Sequence, residues 1–311
     1  MVTETFANNL LLTLILGPLV CGGLCLLMKP VYTRFIFYIH FGIHVICLLT
    51  LPFVQDVAFP EPVSFFGHPI TFTISTTSTM IALLTVTALF LMMLINYAQD
   101  RIPLTRFQAA TISIALSAGS VAFFSGQFMI RYIALEFVGL MIAVSVLHLW
   151  ESHFQFFIDI FVQLRMGDLA LLSSILLLFV RAGTLNIASM IETATQLPLL
   201  DQAWILGGFI AAILFKLAIF PLDGWWVRFA QETPSLKYWI GTVLMPALGL
   251  YLLIRVAPLI HANPILTYST TGLAVLLMAV TYGFNRGENR DYYQRANTLL
   301  GCFTLIFAAF M

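Results

Sequence analysis

Residues 204–221 read WILGGFIAAILFKLAIFP. The run approaches the roughly 20 apolar residues that a bilayer crossing needs, yet it carries Lys216 close to its end. An ammonium at that depth is costly unless it faces a water-filled cavity or a buried partner. Two other apolar runs share the anomaly: RYIALEFVGLMIAVSVL (131–147) contains Glu136, and FFIDIFVQLRMGDLALLSSILLLF (156–179) contains Arg165 and Asp168. Ionisable groups inside membrane spans mark an ion or proton path by default.

The remainder of the chain has the same character. Hydrophobic residues make up 60% and charged ones 9%, with a mean hydropathy of +0.98, whereas soluble domains are about half apolar and about a quarter charged. Apolar runs recur near residues 6–28, 35–54, 70–96, 107–126, 129–148, 157–181, 203–221, 239–258, 269–284 and 296–310, the last two being short. The expected fold is therefore all-α, a polytopic transmembrane bundle of about ten helices. Strand-type alternation is missing, which excludes a barrel. No Ser/Gly linker or charge block divides the runs, so residues 1–311 read as one membrane domain. The opening stretch MVTETFANNLLLTLILGPLVCGGLCLLM has no basic n-region and reads as the first helix rather than a removable signal.

Charge and composition exclude several functions. Fourteen basic residues balance fourteen acidic ones, so nothing selects nucleic acid as a partner. Cys21, Cys25, Cys47 and Cys302 each fall inside an expected span and read as small core residues. His40 and His44 sit one turn apart, but no third ligand accompanies them, so no metal is expected. There is no Gly-rich dinucleotide fingerprint and no spaced cysteine set. The chain is expected to hold no cofactor and no self-contained catalytic site. Trp225, Trp226 and Trp239 fit an interfacial aromatic belt, and Arg255 a snorkelling position at a helix end.

Loop charges orient the bundle. With the N-terminus outside, Lys29, Arg34, Arg101, Arg106, Arg228, Lys237, Arg286, Arg290 and Arg295 fall on the inner side, and Arg181 and Arg131 on the outer. This obeys the positive-inside rule and puts both termini on the outer face.

Four stretches then resemble the antiporter-like membrane subunits of respiratory complex I and of Mrp-type Na+/H+ antiporters. LEFVGLM (135–141) resembles the fifth-helix motif with its glutamate, here Glu136. FVQLRMGDLALL (161–172) resembles the sixth-helix Arg-x-Gly-Asp pattern, giving Arg165, Gly167 and Asp168. FKLAIFPLDGWW (215–226) resembles the broken seventh helix, with its lysine at Lys216 and its breaking proline at Pro221. ETPSLKYWIGTVLMPALGLYLLIR (232–255) resembles the eighth helix after a Thr-Pro turn. The resemblance implies three N-terminal helices in 1–100, a first five-helix repeat in 105–258, and the start of a truncated second repeat in 265–311. It implies a proton path through Glu136, Lys216, Asp168 and Arg165. It also implies partner subunits, membrane-embedded or peripheral, in a bacterial inner membrane.

Two departures qualify it. Gly241 or a neighbour stands where the family carries a mid-helix histidine, with Lys237 and Tyr238 lying earlier, and the twelfth-helix lysine or glutamate is absent. This chain alone is not expected to form a complete proton channel.

Elementary chemistry leads to the same residues. Pro221 cannot continue a helical hydrogen-bond ladder, so the seventh span should break five residues beyond Lys216, and open backbone at that depth needs a cavity or buried protein beside it. A lysine there takes and releases a proton as a carboxylate approaches and withdraws, and Glu136 is the natural carboxylate. Bland readings stand beside these: Arg165 and Asp168 as a mutually neutralising pair three residues apart, and Lys216 with Glu136 as a packing salt bridge. Three functions remain open: a proton-translocating subunit of an energy-coupled complex, the membrane subunit of an inorganic carbon (bicarbonate/CO2) transporter partnered by a zinc carbonic-anhydrase-like subunit, or a degenerate structural subunit.

Overall fold

The computed structural model describes residues 2–53, 57–58, 64–65, 67–98, 104–147, 154–232, 236–284 and 292–310. The fold is all-α: α1 (Val2–Leu27), α2 (Pro30–Thr50), α3 (Thr76–Ala98), α4 (Arg106–Phe124), α5 (Phe128–Val146), α6 (Phe154–Ala182), α7 (Ile187–Thr195), α8 (Leu199–Lys216), α9 (Gly224–Glu232), a π-helical turn (Ile240–Leu244), α10 (Met245–His261), α11 (Pro264–Phe284) and α12 (Tyr292–Phe310). Among the described residues nine helices are long and apolar enough to cross a membrane, and α12 holds a shorter apolar stretch, Thr298–Phe310. Ten spans were expected. Two short helices, α7 and α9, occupy stretches read from sequence as connections. The only described strands are two-residue pairs, β1 (Val57–Ala58) with β4 (Thr71–Phe72) and β2 (Ser64–Phe65) with β3 (His68–Pro69).

Two compact units divide the chain. The first comprises residues 1–157 and 229–244. Pro30 opens α2 at a position where its fixed φ and missing N–H cost nothing. A capping box starts α4: the Thr105 hydroxyl accepts from the Gln108 N–H, and the Gln108 amide oxygen accepts from the Thr105 N–H, both at 3.2 Å. The alanines and serines of α4 let α1 approach closely. Ser117 donates to the Ile15 carbonyl at 2.5 Å, satisfying a hydroxyl that lipid cannot. In the 229–244 segment, Trp239 is fully buried and its indole N–H donates to the Thr85 carbonyl at 2.7 Å. Trp225 is fully buried as well and Trp226 is nearly so. These tryptophans lie in the core rather than in the belt expected from sequence, and the indole N–H groups of Trp225 and Trp239 find carbonyls inside the protein.

The second unit comprises residues 158–228 and 245–311. Here α6 and α8 meet at Gly208: a Cβ added there would stand 2.7 Å from the Ala170 carbonyl oxygen and 2.1 Å from the Ser174 hydroxyl. That hydroxyl donates to the Ile205 carbonyl at 2.9 Å. Between α6 and α8, Asn186 caps α7 by accepting from the Ser189 N–H at 3.2 Å, and the Gln202 amide donates to the Thr195 carbonyl at 2.9 Å.

The end of α8 places the lysine. Leu217 N–H still bonds the Ile213 carbonyl at 2.8 Å; Ala218 N–H then turns to Phe215 at 3.2 Å and Ile219 N–H to Leu214 at 3.0 Å. This is the Schellman pattern of a helix C-terminus, and Ala218 holds its left-handed position at φ +50°. Glycine is the usual occupant, since an L side chain pays about 1–2 kcal/mol in that region. The ladder thus stops at Lys216 itself, not at Pro221 five residues on as the sequence suggested. The Phe220–Pro221 peptide is cis.

Two outcomes follow for thermal unfolding in detergent. Gly208→Ala should destabilise by about 1–3 kcal/mol through overpacking against backbone, while Gly207→Ala, whose added methyl meets nothing within 4 Å, should leave the midpoint unchanged or raise it. Ala218→Gly should raise the midpoint, by roughly 1 kcal/mol of relieved strain, and Ala218→Val should lower it.

Candidate functional site

The last turn of α8 is gripped by two neighbours. A Cβ on Gly167 of α6 would lie 2.7 Å from Cβ of Phe215, and one on Gly249 of α10 would lie 3.0 Å from Cβ of Lys216. Only glycine lets α6 come that close. The residue after Gly167 is Asp168 and the residue after Phe215 is Lys216, so the same approach brings the two charges together. Lys216 Nζ donates to Asp168 Oδ1 at 2.6 Å, and both side chains are 2% exposed. The Trp225 indole donates to the Phe215 carbonyl at 2.8 Å, tying the start of α9 back to the same turn. An ammonium in the last turn of a helix also meets the negative end of its dipole.

A desolvated ion pair of this kind is a poor source of net stability, since removing each charge from water costs several kcal/mol. Its asymmetry matters more. Removing one partner strands the other, at about 3–5 kcal/mol.

The expected site residues are only partly brought together. Asp168 pairs with Lys216 across 48 positions of sequence, not with Arg165 three residues earlier; the Arg165 guanidinium lies 4.7 Å from the centre of the Phe161 ring, one turn back on α6. Glu136 is half-buried on α5, in the first unit. The carboxylate on Lys216 is thus Asp168, where the sequence reading named Glu136. Pro221 is exposed, beyond the helix end that Ala218 sets. Arg255 folds back onto the Tyr251 hydroxyl at 2.7 and 3.0 Å instead of reaching out from a helix end.

Two basic residues counted as loop charges are buried. Arg131 is 2% exposed and donates to the Ser125 carbonyl at 2.6 Å. Lys237, also 2% exposed, donates to the Ser145 carbonyl near the end of α5 and stands 5.6 Å from the Phe107 ring centre. A terminal helical carbonyl lacks its intrahelical donor, and Lys237 supplies one. The Thr-Pro turn at 233–235, His148, Arg101, Arg286, Glu288 and Arg290 lie outside the described residues. Among the described residues no three His, Cys, Asp or Glu side chains converge on a common point. The His40 and His44 ring centres are 6.2 Å apart.

No curated protein matches the chain. In fold it is similar to a chain of the membrane-bound sulfane sulfur reductase, an archaeal respiratory membrane complex, at 14% identity over 98% of this chain and 63% of that one, with a TM-score of 0.72. It is similar to a chain of the Mrp complex from Dietzia sp. DQ12-45-1b at 16% identity, covering 97% and 33%, with a TM-score of 0.75. A chain of respiratory complex I from Thermus thermophilus matches at 21% identity, covering 96% and 63%, with a TM-score of 0.70. The chain spans less than two thirds of the length of each. Residues 125–285, which take in α5, the Lys216–Asp168 pair and α10, match the model of the family described as NADH:quinone oxidoreductase/Mrp antiporter, transmembrane. That match covers just over half of the chain, and with it the protein, an integral membrane protein, belongs to the NADH:quinone oxidoreductase/Mrp antiporter family.

Proposed function

We propose that the chain is a proton-handling subunit of a larger energy-coupled membrane complex, and that Lys216 is the group that takes and releases the proton. The observation that carries this reading is the buried Lys216–Asp168 pair at the end of an interrupted helix. Both charges are out of water and 2.6 Å apart, in the direct hydrogen-bond contact that a proton transfer between two side chains needs. Glu136 is the second carboxylate of the path in this reading, on the strength of the family resemblance, and Arg165 sets the local potential from the same helix as Asp168. The partners are other subunits, membrane-embedded or peripheral. Supporting this, the similar chains come from the multisubunit assemblies named above.

A purely structural pair makes a different forecast. Lys216→Met or Asp168→Asn alone would then lower subunit abundance, and the double neutral variant would recover both abundance and transport. Proton handling instead predicts that Lys216→Met, Asp168→Asn and their double stop coupled transport in membranes carrying the whole complex. The double should assemble normally. Lys216→Arg should also fail, since a guanidinium keeps its proton throughout the physiological range. Glu136→Gln should assemble and be inactive. Normal transport in the double variant would overturn the proposal.

In the same reading the chain sits in a bacterial inner membrane with both termini outside. With Lys237 and Arg131 removed from the loop count because they are buried, the basic excess still lies on the side assigned as inner. Single cysteines at Lys29 and Leu200, both exposed, test it with an impermeant thiol reagent. Leu200→Cys should react from outside in intact cells and Lys29→Cys only after permeabilisation; reaction of both from one side would overturn the assignment.

A further inference from the structure

The break after Lys216 has a third neighbour, on α12. The Phe220 N–H, released from helical bonding by the turn at Ala218, donates to the Thr298 hydroxyl at 3.4 Å, and Thr298 is fully buried. One turn further along α12, Gly301 lies against the same segment: a Cβ there would stand 2.7 Å from both Cγ1 and Cδ1 of Ile219. Ile219 is the residue whose N–H closes the Schellman pattern on Leu214. So α12 meets the break twice, once by a hydrogen bond to its backbone and once by an approach that any side chain at 301 would obstruct. A threonine in mid-helix can bond a carbonyl of its own helix; here its oxygen serves as acceptor to another segment.

We infer that Thr298 and Gly301 of α12 are positioning residues that hold the interrupted end of α8 and thereby set where Lys216 stands. The inference rests on the proposed role of Lys216 for its functional part only. Asp168 fixes the ammonium, Gly167 and Gly249 fix the last helical turn, and α12 fixes the chain immediately beyond it. Without that last restraint the turn at Ala218, strained at φ +50°, is free to unwind toward an ordinary backbone conformation, and the lysine moves with it.

Hydrogen–deuterium exchange on the purified full chain separates structure from function. In Thr298→Val, which keeps shape and loses the acceptor, the peptide covering 217–222 should exchange one additional amide about tenfold faster. Thr298→Ser should match the unsubstituted protein. Gly301→Ala, which pushes on Ile219 but keeps the acceptor, should speed exchange across 217–220, and it decides the matter should Thr298→Val fail to accumulate. In the assembled complex Thr298→Val should slow transport by roughly tenfold to a hundredfold at normal abundance and displace its pH profile, with Thr298→Ser restoring both. Unchanged exchange in both variants overturns the clamp. Faster exchange with unaltered transport and pH profile overturns the positioning role. If Lys216→Met itself leaves transport intact, the proposed function falls while the exchange result still reports on the clamp.

Discussion

A charged ammonium and a carboxylate, each 2% exposed and 2.6 Å apart, fix what the second unit must be. Neither group is tolerable alone in an apolar interior, so α6 and α8 have to meet at one height and one rotation. The sequence meets that demand with absences of side chain. Gly167 and Gly208 remove the Cβ atoms that would keep the two helices apart, and the Ser174 hydroxyl stitches α6 to the Ile205 carbonyl between them. Small residues and short polar links do here what hydrophobic exclusion does in water, since helix packing in lipid relies on close contact and internal hydrogen bonds.

The first unit obeys the same economy by different means. Side chains from elsewhere in the unit donate to backbone carbonyls: the Trp239 indole to Thr85, the Lys237 ammonium to Ser145 at the end of α5, and the Ser117 hydroxyl to Ile15. Unmet carbonyls inside a bilayer cost several kcal/mol each. A buried lysine bonded to a helix end is therefore an answer to a backbone problem as well as a charge in its own right.

Much of this was legible in the sequence because its signals are strong and local. Runs of apolar residues gave the helical class, and the four misplaced charges led to the family motifs. The helices α7 and α9 were missed because a search for 20-residue runs passes over nine-residue helices; yet Ile187, Met190, Ile191 and Ala194 keep the helical i, i+3, i+4, i+7 spacing after a capping Asn186, a signal within reach. The end of α8 was misjudged since the left-handed residue is alanine, and only glycine would have announced it. The pairing of Lys216 with Asp168, and the burial of Lys237 and of the tryptophans, depends on what tertiary packing delivers to each side chain. No spacing rule along one chain segment contains that information.

The link between α7 and α8 has a mechanical side. The Gln202 amide holds the last turn of α7 through the Thr195 carbonyl, and the 18 residues from Leu199 to Lys216 form an unbroken rod, about 27 Å long at 1.5 Å per residue. A stiff helix transmits a push along its axis with little loss, whereas a loop would absorb it. The short helix thus caps one end of a stiff rod whose other end carries the buried ammonium, so the position of that ammonium is tied through the rod to a side-chain bond a helix length away.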